Sequence, residues 1–205
     1  MKLYDNTIAP NPRRVRIALA EKGQLEQVEL INVDIFKGEQ NTKEFRSKNP
    51  FGGVPVLELD NGDVITESVS INRYFEEKFP ENPLFGTTAE EKAKIDMWHR
   101  RIESSVLGSI GTYFHHATDG LGESNRYRNK EWGEYNVNNL KSSLNLVEDQ
   151  LKENDYIAGE HYSIVDITLL CSVDFGLFLK LIDLENYPAI KNWYERVSQR
   201  PSSGA

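Results

Sequence analysis

Asn49-Pro50-Phe51-Gly52-Gly53-Val54-Pro55-Val56-Leu57-Glu58, followed by Thr66-Glu67-Ser68, is the stretch on which the fold turns. A proline that opens a strand just after a bend is a candidate cis peptide, because X-Pro bonds have only a small trans preference. A cis Val54-Pro55 bond turns the Val54 amide and carbonyl outward, and an extended peptide can then add to the strand edge through main-chain hydrogen bonds. Glu67-Ser68 sits where a strand gives way to a helix. There the Ser68 N–H and hydroxyl can hold a carboxylate at the positive helix end, and the Glu67 carboxylate can accept from an ammonium. Together these residues suit a ligand bearing an α-amino acid head on a short peptide. The plainer alternative is a turn proline followed by an ordinary Glu-Ser helix start.

Outward from this stretch, residues 1–79 alternate short strands and helices. Residues 2–4 read as a strand, and residues 12–22 as a helix with apolar Val15, Ile17, Ala18 and Ala20 and a stop at Gly23. Residues 27–33 read as a strand by their β-branched content. Residues 54–59 and 64–66 are strands around Asp60-Asn61-Gly62-Asp63, a hairpin signal, and a helix follows over 67–78. The order β-α-β, a short helical connection, then β-β-α predicts a parallel first pair and an added antiparallel hairpin. Pro80, Asn82, Pro83 and Gly86 punctuate a linker over 80–88. Residues 89–205 carry no strand pattern. Helices are expected over 89–116, then through Trp132, Tyr135, Leu140, Leu144, Val147 and Leu151, then over 163–181 and 188–199. The third of these is apolar on nearly all sides, which predicts a central position.

Composition narrows the possible partners. The 205 residues carry a formal charge of −8, which argues against nucleic acid or an anionic membrane as partner. With Cys171 alone, there is no internal disulfide and no cysteine metal cage, as expected of a reducing compartment. Nothing resembles a signal peptide or a bilayer-spanning run, so a cytoplasmic protein is expected. His99 and His161 are not spaced as metal ligands, and no metal site is expected.

The stretch from Asn49 to Ser68 resembles the glutathione-binding signature of cytosolic glutathione transferases, and the resemblance reaches nearly the whole chain. Arg14-Val15-Arg16-Ile17-Ala18-Leu19-Ala20-Glu21-Lys22-Gly23 is similar to that family's first helix, and Lys37-Gly38-Glu39-Gln40 to its loop after the second strand. Tyr156-Ile157-Ala158-Gly159 and Ser163-Ile164-Val165-Asp166-Ile167 resemble its folding motif, where Ser163 and Asp166 also read as a capping box. Tyr113-Phe114-His115-His116-Ala117-Thr118, with Asn129-Lys130-Glu131-Trp132-Gly133, resembles the yeast-type branch. The resemblance implies an α/β thioredoxin-like N-terminal domain over 1–79 and an all-α helical bundle domain over 89–205. Glutathione enters as a substrate, with no separate cofactor. Val54 is expected to pair with the cysteinyl backbone, with Pro55 cis behind it. Glu67 and Ser68 are expected to take the γ-glutamyl head, and Lys37 with Gln40 the glycine carboxylate. A homodimer is implied as well, with exposed-looking Phe51 beside the site. The second substrate is expected to be a small hydrophobic electrophile lying between the domains, met by Tyr113, Phe114, His116 and Thr118. Trp98 reads as packing between the domains.

Thiolate activation departs from the family pattern. The thiolate is the nucleophile, and lowering a thiol pKa by two units requires about 2.7 kcal/mol of preferential stabilisation. Most relatives supply a Ser, Cys or Tyr. Here the serine position is Ala9, the cysteine position falls on Pro10 or Pro12, and Tyr4 lies inside the first strand. Three substitutes remain open. Asn11 can donate its side-chain N–H to the sulfur. Small Ala9 lets the thiol approach the free N–H groups of the helix start. His115 or His116 can hold a water or take the proton, although Gly111 stands where the yeast-type branch carries a water-holding serine. Three functions follow as rivals: a transferase, a glutathione-dependent disulfide reductase, and a non-catalytic binding protein that has kept the fold.

Overall fold

Alternation along the strands sets the two faces of the first unit's sheet. In a computed structural model that describes residues 1–124 and 127–205, β1 (Lys2–Asp5) pairs in parallel with β2 (Glu29–Asn32). It pairs antiparallel with β3 (Val56–Glu58), which pairs antiparallel with β4 (Val64–Thr66), giving the order β2-β1-β3-β4. Leu3 and Leu57 are partners in this register. They turn to one face, into a core with Val15, Leu19, Val28, Ile71 and Phe75. Val56, one residue out of phase, turns to the other face with Val33 and Phe45. Helices α1 (Pro10–Glu21) and α3 (Ser68–Lys78) thus cover the first face, and α2 (Lys43–Lys48) lies on the second. This is the βαβ-α-ββα order that the sequence predicts.

Element ends differ from expectation for local reasons. β3 starts at Val56 rather than 54, because Pro55 has no N–H for the ladder. It stops at Glu58, where the Leu59 amide turns to Asp63 O (2.8 Å) and Gly62, at φ 89°, closes the loop. β2 is shorter than 27–33 because Leu25–Gln27 winds into a 3-10 turn. α1 begins at Pro10, two residues early, since a proline fits the first helical turn as well there as at Pro12. At its other end the Gln24 and Gly23 amides reach back to Leu19 O and Ala20 O, a Schellman stop. Lys22 Nζ, buried beside it, pairs with Glu76 at 2.6 Å and donates to Phe79 O, Glu81 O and Asn82 O. The ends of α1 and α3 are tied together through that one ammonium.

The units divide at Met1–Asn82 and Pro83–Gly204. In the second, the single helix expected over 89–116 is α4 (Ala89–Arg101), a π-helical turn (Ile102–Leu107) and α5 (Gly108–Ala117). Ser104 and Ser105 hydroxyls donate to Arg100 O (2.8 Å) and Arg101 O (2.5 Å), competing with the regular ladder where it widens. α6 (Lys130–Glu153) buries Gly133, Asn136, Leu140, Leu144, Val147 and Leu151, so its inner stripe is one residue out of phase with the expected start. Trp132 and Tyr135 are instead 48% and 55% exposed and stack on each other. The close approach explains it: a Cβ on Gly133 would stand 2.8 Å from Ala117 Cβ, so only glycine lets α6 meet α5 here.

α7 (Ile164–Phe178) is buried on nearly all sides, as its composition predicts, and α8 (Pro188–Ser198) packs Ile190, Trp193 and Val197 inward. The Ser163–Asp166 capping box forms. Asp166 accepts from Ser163 N and Oγ, Ile157 N and Trp193 Nε1, yet complete burial still pushes its carboxyl up to about 6. His99 is a packing residue, buried with Nε2 2.8 Å from Thr168 Oγ1.

Candidate functional site

The first unit's site begins with how the chain leaves β1. Buried Arg16 pairs with Asp5 and donates to Asn6 O and Thr7 O, while Asn6 Nδ2 donates to Val33 O at 3.0 Å. Asn6 Oδ1 accepts from the amides of Ile8 and Ala9. The turn into α1 is therefore fixed from inside, with Ala9 as N-cap and no side-chain cap of its own. Pro10 and Pro12 carry no N–H and the Arg13 amide reaches Ala9 O at 3.3 Å, which leaves the Asn11 amide as the N–H of the helix start. Asn11 lies on the first turn, exposed, and its Oδ1 accepts from Arg14 Nη2 at 2.7 Å. Tyr4 is a strand residue whose hydroxyl donates to Glu58.

At the other helix start, Glu67 is the N-cap of α3 at φ 65° and ψ 119°, and it makes no side-chain cap. A non-glycine residue in that region is held there by its surroundings at a cost of about 1–3 kcal/mol, and such residues cluster at ligand sites. Its carboxylate is exposed. Ser68, the first helical residue, is buried, and its Oγ accepts from Arg14 Nη2 at 2.6 Å. The Val54-Pro55 bond is cis. Val54 is half buried and precedes the ladder, which begins at Val56.

The loop over residues 34–40 carries Lys37 and Gln40. Lys37 Nζ is exposed and 3.0 Å from Asp34, whose carboxylate also accepts from the Phe36 and Lys37 amides. Asp34 raises the Lys37 ammonium above the usual lysine value. The contact with Lys37 in turn holds the Asp34 carboxyl below the usual carboxylate range. Gln40 is buried, donating from Nε2 to Ile35 O at 3.1 Å, so it braces the loop from within. Its Oε1 is buried without a hydrogen-bond partner among the described residues.

In the second unit, α5 ends in the aromatic and histidine run. Phe114 packs edge-on to Phe175 at 5.3 Å and to His115 at 5.0 Å. Tyr113 is half buried and His115 exposed. His116 Nδ1 accepts from the Asn129 amide at 3.1 Å, while Asn129 Oδ1 caps α6. Thr118 Oγ1 donates to Phe114 O and accepts from Gly120 N, which finishes the helix. His116 and Thr118 therefore have local structural work, and the His115 ring, packed edge-on to Phe114, is exposed. Trp98 carries the Arg101 guanidinium over its ring at 4.9 Å.

Sequence reasoning missed Asn6, Arg14 and Arg16 as parts of the site. Its available signal was three charged residues, Arg13, Arg14 and Arg16, crowding an otherwise apolar helix; two of them are buried. Among the described residues no group of three His, Cys, Asp or Glu side chains is placed to hold a metal ion. No described helix is long and apolar enough to cross a membrane.

Comparison with known proteins agrees with this architecture. The model of the glutathione S-transferase N-terminal domain matches residues 3–83, and that of the C-terminal domain matches residues 109–201. Glutathione S-transferase 2 of Saccharomyces cerevisiae is 41% identical over 98% of this chain and 87% of its own. The crystal structure of Gtt2 from Saccharomyces cerevisiae superposes with a TM-score of 0.95 at 41% identity, covering 98% of each chain. A glutathione S-transferase domain-containing protein of Marinobacter aquaeolei VT8 gives the same TM-score at 39% identity, covering 98% of this chain and 99% of its own. Family models for both domains, full-length relatives and fold agree, and the chain belongs to the glutathione S-transferase family of transferases.

Proposed function

We propose that this enzyme conjugates reduced glutathione to small hydrophobic electrophiles, and that it ionises the thiol without a Ser, Tyr or Cys hydroxyl or thiol. The observation that carries the reading is the pairing of two helix starts. α3 opens with strained Glu67 and buried Ser68, and α1 opens with Ala9 and Asn11. The α3 start suits the γ-glutamyl group: Glu67 for its ammonium, Ser68 for its carboxylate. Val54 offers main-chain groups to the cysteinyl residue beside Pro55, and Lys37 an ammonium to the glycine carboxylate. Gln40 supports that loop rather than reaching out of it. The α1 start, lacking a side-chain cap, offers the backbone N–H and the side-chain amide of Asn11 to a thiolate. Tyr113, Phe114, His116 and Thr118 are the proposed electrophile-contacting residues, and His115 the proposed proton acceptor. Glutathione is in this reading a substrate, not a resident cofactor. A cytoplasmic homodimer completes it, supported by the family and by Phe51, 87% exposed.

Glutathione-dependent disulfide reduction is a second reading. Asn11 favours it, as the one polar side chain on the first turn of α1 with its oxygen already engaged. The test is a comparison of rates with a chloro-nitroaromatic and with a small disulfide. Faster conjugation supports the transferase; faster disulfide reduction with negligible conjugation overturns it in favour of the reductase.

A further inference from the structure

Arg14 donates to two residues of the proposed glutathione site at once, Asn11 Oδ1 at 2.7 Å and Ser68 Oγ at 2.6 Å, from the same Nη2. A guanidinium has donors only. Each partner must therefore accept, and that fixes what each has left to give. The Ser68 oxygen spends a lone pair on Arg14, so its single proton is directed elsewhere, as a donor polarised by the cation behind it. Asn11 presents its carbonyl oxygen inward, so its outward end is the amide N–H₂. Arg14 is itself buried, and the pair it joins, on α1 and α3, is 54 residues apart from Arg14 to Ser68.

We propose that Arg14 is the positioning residue of the site. It sets Ser68 as a hydroxyl donor toward the γ-glutamyl carboxylate and Asn11 as an amide donor toward the sulfur. This inference rests on the glutathione reading above and adds to it. Without the guanidinium, the Ser68 hydroxyl is free to turn its proton inward, and the Asn11 amide is free to flip its oxygen toward the ligand. An oxygen facing a carboxylate or a thiolate repels it. One buried cation thereby biases two ligand-facing groups toward anions without touching the ligand.

The experiment measures binding of S-hexylglutathione and of its analogue lacking the γ-glutamyl α-carboxylate. Both are titrated into wild type, Arg14→Met, Arg14→Lys, Ser68→Ala and the Arg14→Met/Ser68→Ala double variant. Loss of a charge-assisted contact predicts on the order of 10- to 100-fold weaker S-hexylglutathione binding in Arg14→Met. For the analogue, the same variant is expected to bind within about threefold of wild type. The double variant should bind S-hexylglutathione no more than about threefold worse than the weaker single variant, because both remove one route. With reduced glutathione, Arg14→Met is also expected to raise the pKa of the bound thiol. Arg14→Lys, which keeps the charge on a shorter side chain, should fall between wild type and Arg14→Met. Equal weakening of both ligands, or multiplicative losses in the double variant, would overturn the positioning role and leave Arg14 structural. If Arg14→Met does not fold, Arg14→Lys must still discriminate the two ligands, and failure to do so overturns the proposal equally. Absence of S-hexylglutathione binding in wild type would sink the glutathione reading itself, an outcome visible before any variant is compared.

Discussion

Glu67 shows how one residue can be held against its own backbone preference. At φ 65° a glutamate is strained where a glycine is not, and no side-chain cap compensates. Glu67→Gly is therefore expected to stabilise the fold by about 1 kcal/mol, a rise of about 2–4 °C in Tm. It should at the same time weaken glutathione binding at least about tenfold, by removing the carboxylate proposed to meet the ammonium. Calorimetry and a binding titration on the same variant check both halves. A variant that is less stable and binds unchanged would mean that the strain serves packing. Such residues were only half legible in the sequence. Glu67 and Ser68 stand out because a strand ends and a helix begins there. Arg14 did not, since its partner lies 54 residues away and nothing local distinguishes a site arginine from a solvated one.

Elements were more legible than their ends. Alternation and helical spacing gave the strands of the first unit, the order of its helices, and α7 as the central helix of the second unit. Pro55 as a cis residue was readable because a proline opens a strand after a Gly-Gly bend. What failed was phase and continuity. Trp132 and Tyr135 look like the start of α6's apolar stripe, but Gly133 and Asn136 hold the inner face because close contact with α5 excludes side chains there. The π turn over Ile102–Leu107 is equally invisible to a 3.6-residue count.

The start of α4 gives a prediction at this scale. Glu91 completes the capping box with Thr88 and accepts from Thr87 N, Thr87 Oγ1 and Thr88 N. Those donors lower its pKa from the ordinary 4.5 to about 2. A carboxyl with a depressed folded value stabilises above its unfolded pKa, and that stabilisation is lost as pH falls through the folded one. The Tm gap between wild type and Glu91→Ala should thus be full at pH 6–7, shrink below about pH 4.5 and vanish near pH 2. A gap independent of pH would show that the lost contribution is packing rather than the ionised cap.

At the scale of the whole molecule, both units are ordinary in composition, and the chain's character comes from what is absent at the usual catalytic positions. Ala9, Pro10 and Pro12 hold the positions where the family resemblance leads one to expect a hydroxyl or thiol, and the activation proposed above rests on Asn11 or His115 instead. Assembly is the other property of this scale. Phe51, the most exposed large apolar side chain among the described residues, is expected to be covered in a homodimer. Wild type should sediment at twice the 23.5 kDa chain mass and Phe51→Ser at the chain mass. A wild-type monomer would contradict the assembly while leaving the site untouched.

We predict that the protein ionises glutathione without a Ser, Tyr or Cys, and the thiolate absorbance of bound glutathione reads this out. Titrated with pH at saturating glutathione, wild type should show a thiol pKa at least one unit below the about 8.5 of a free cysteine thiol. The shift should diminish in Asn11→Ala or His115→Ala. Saturable binding with an unshifted thiol pKa would show that the protein holds glutathione without ionising it.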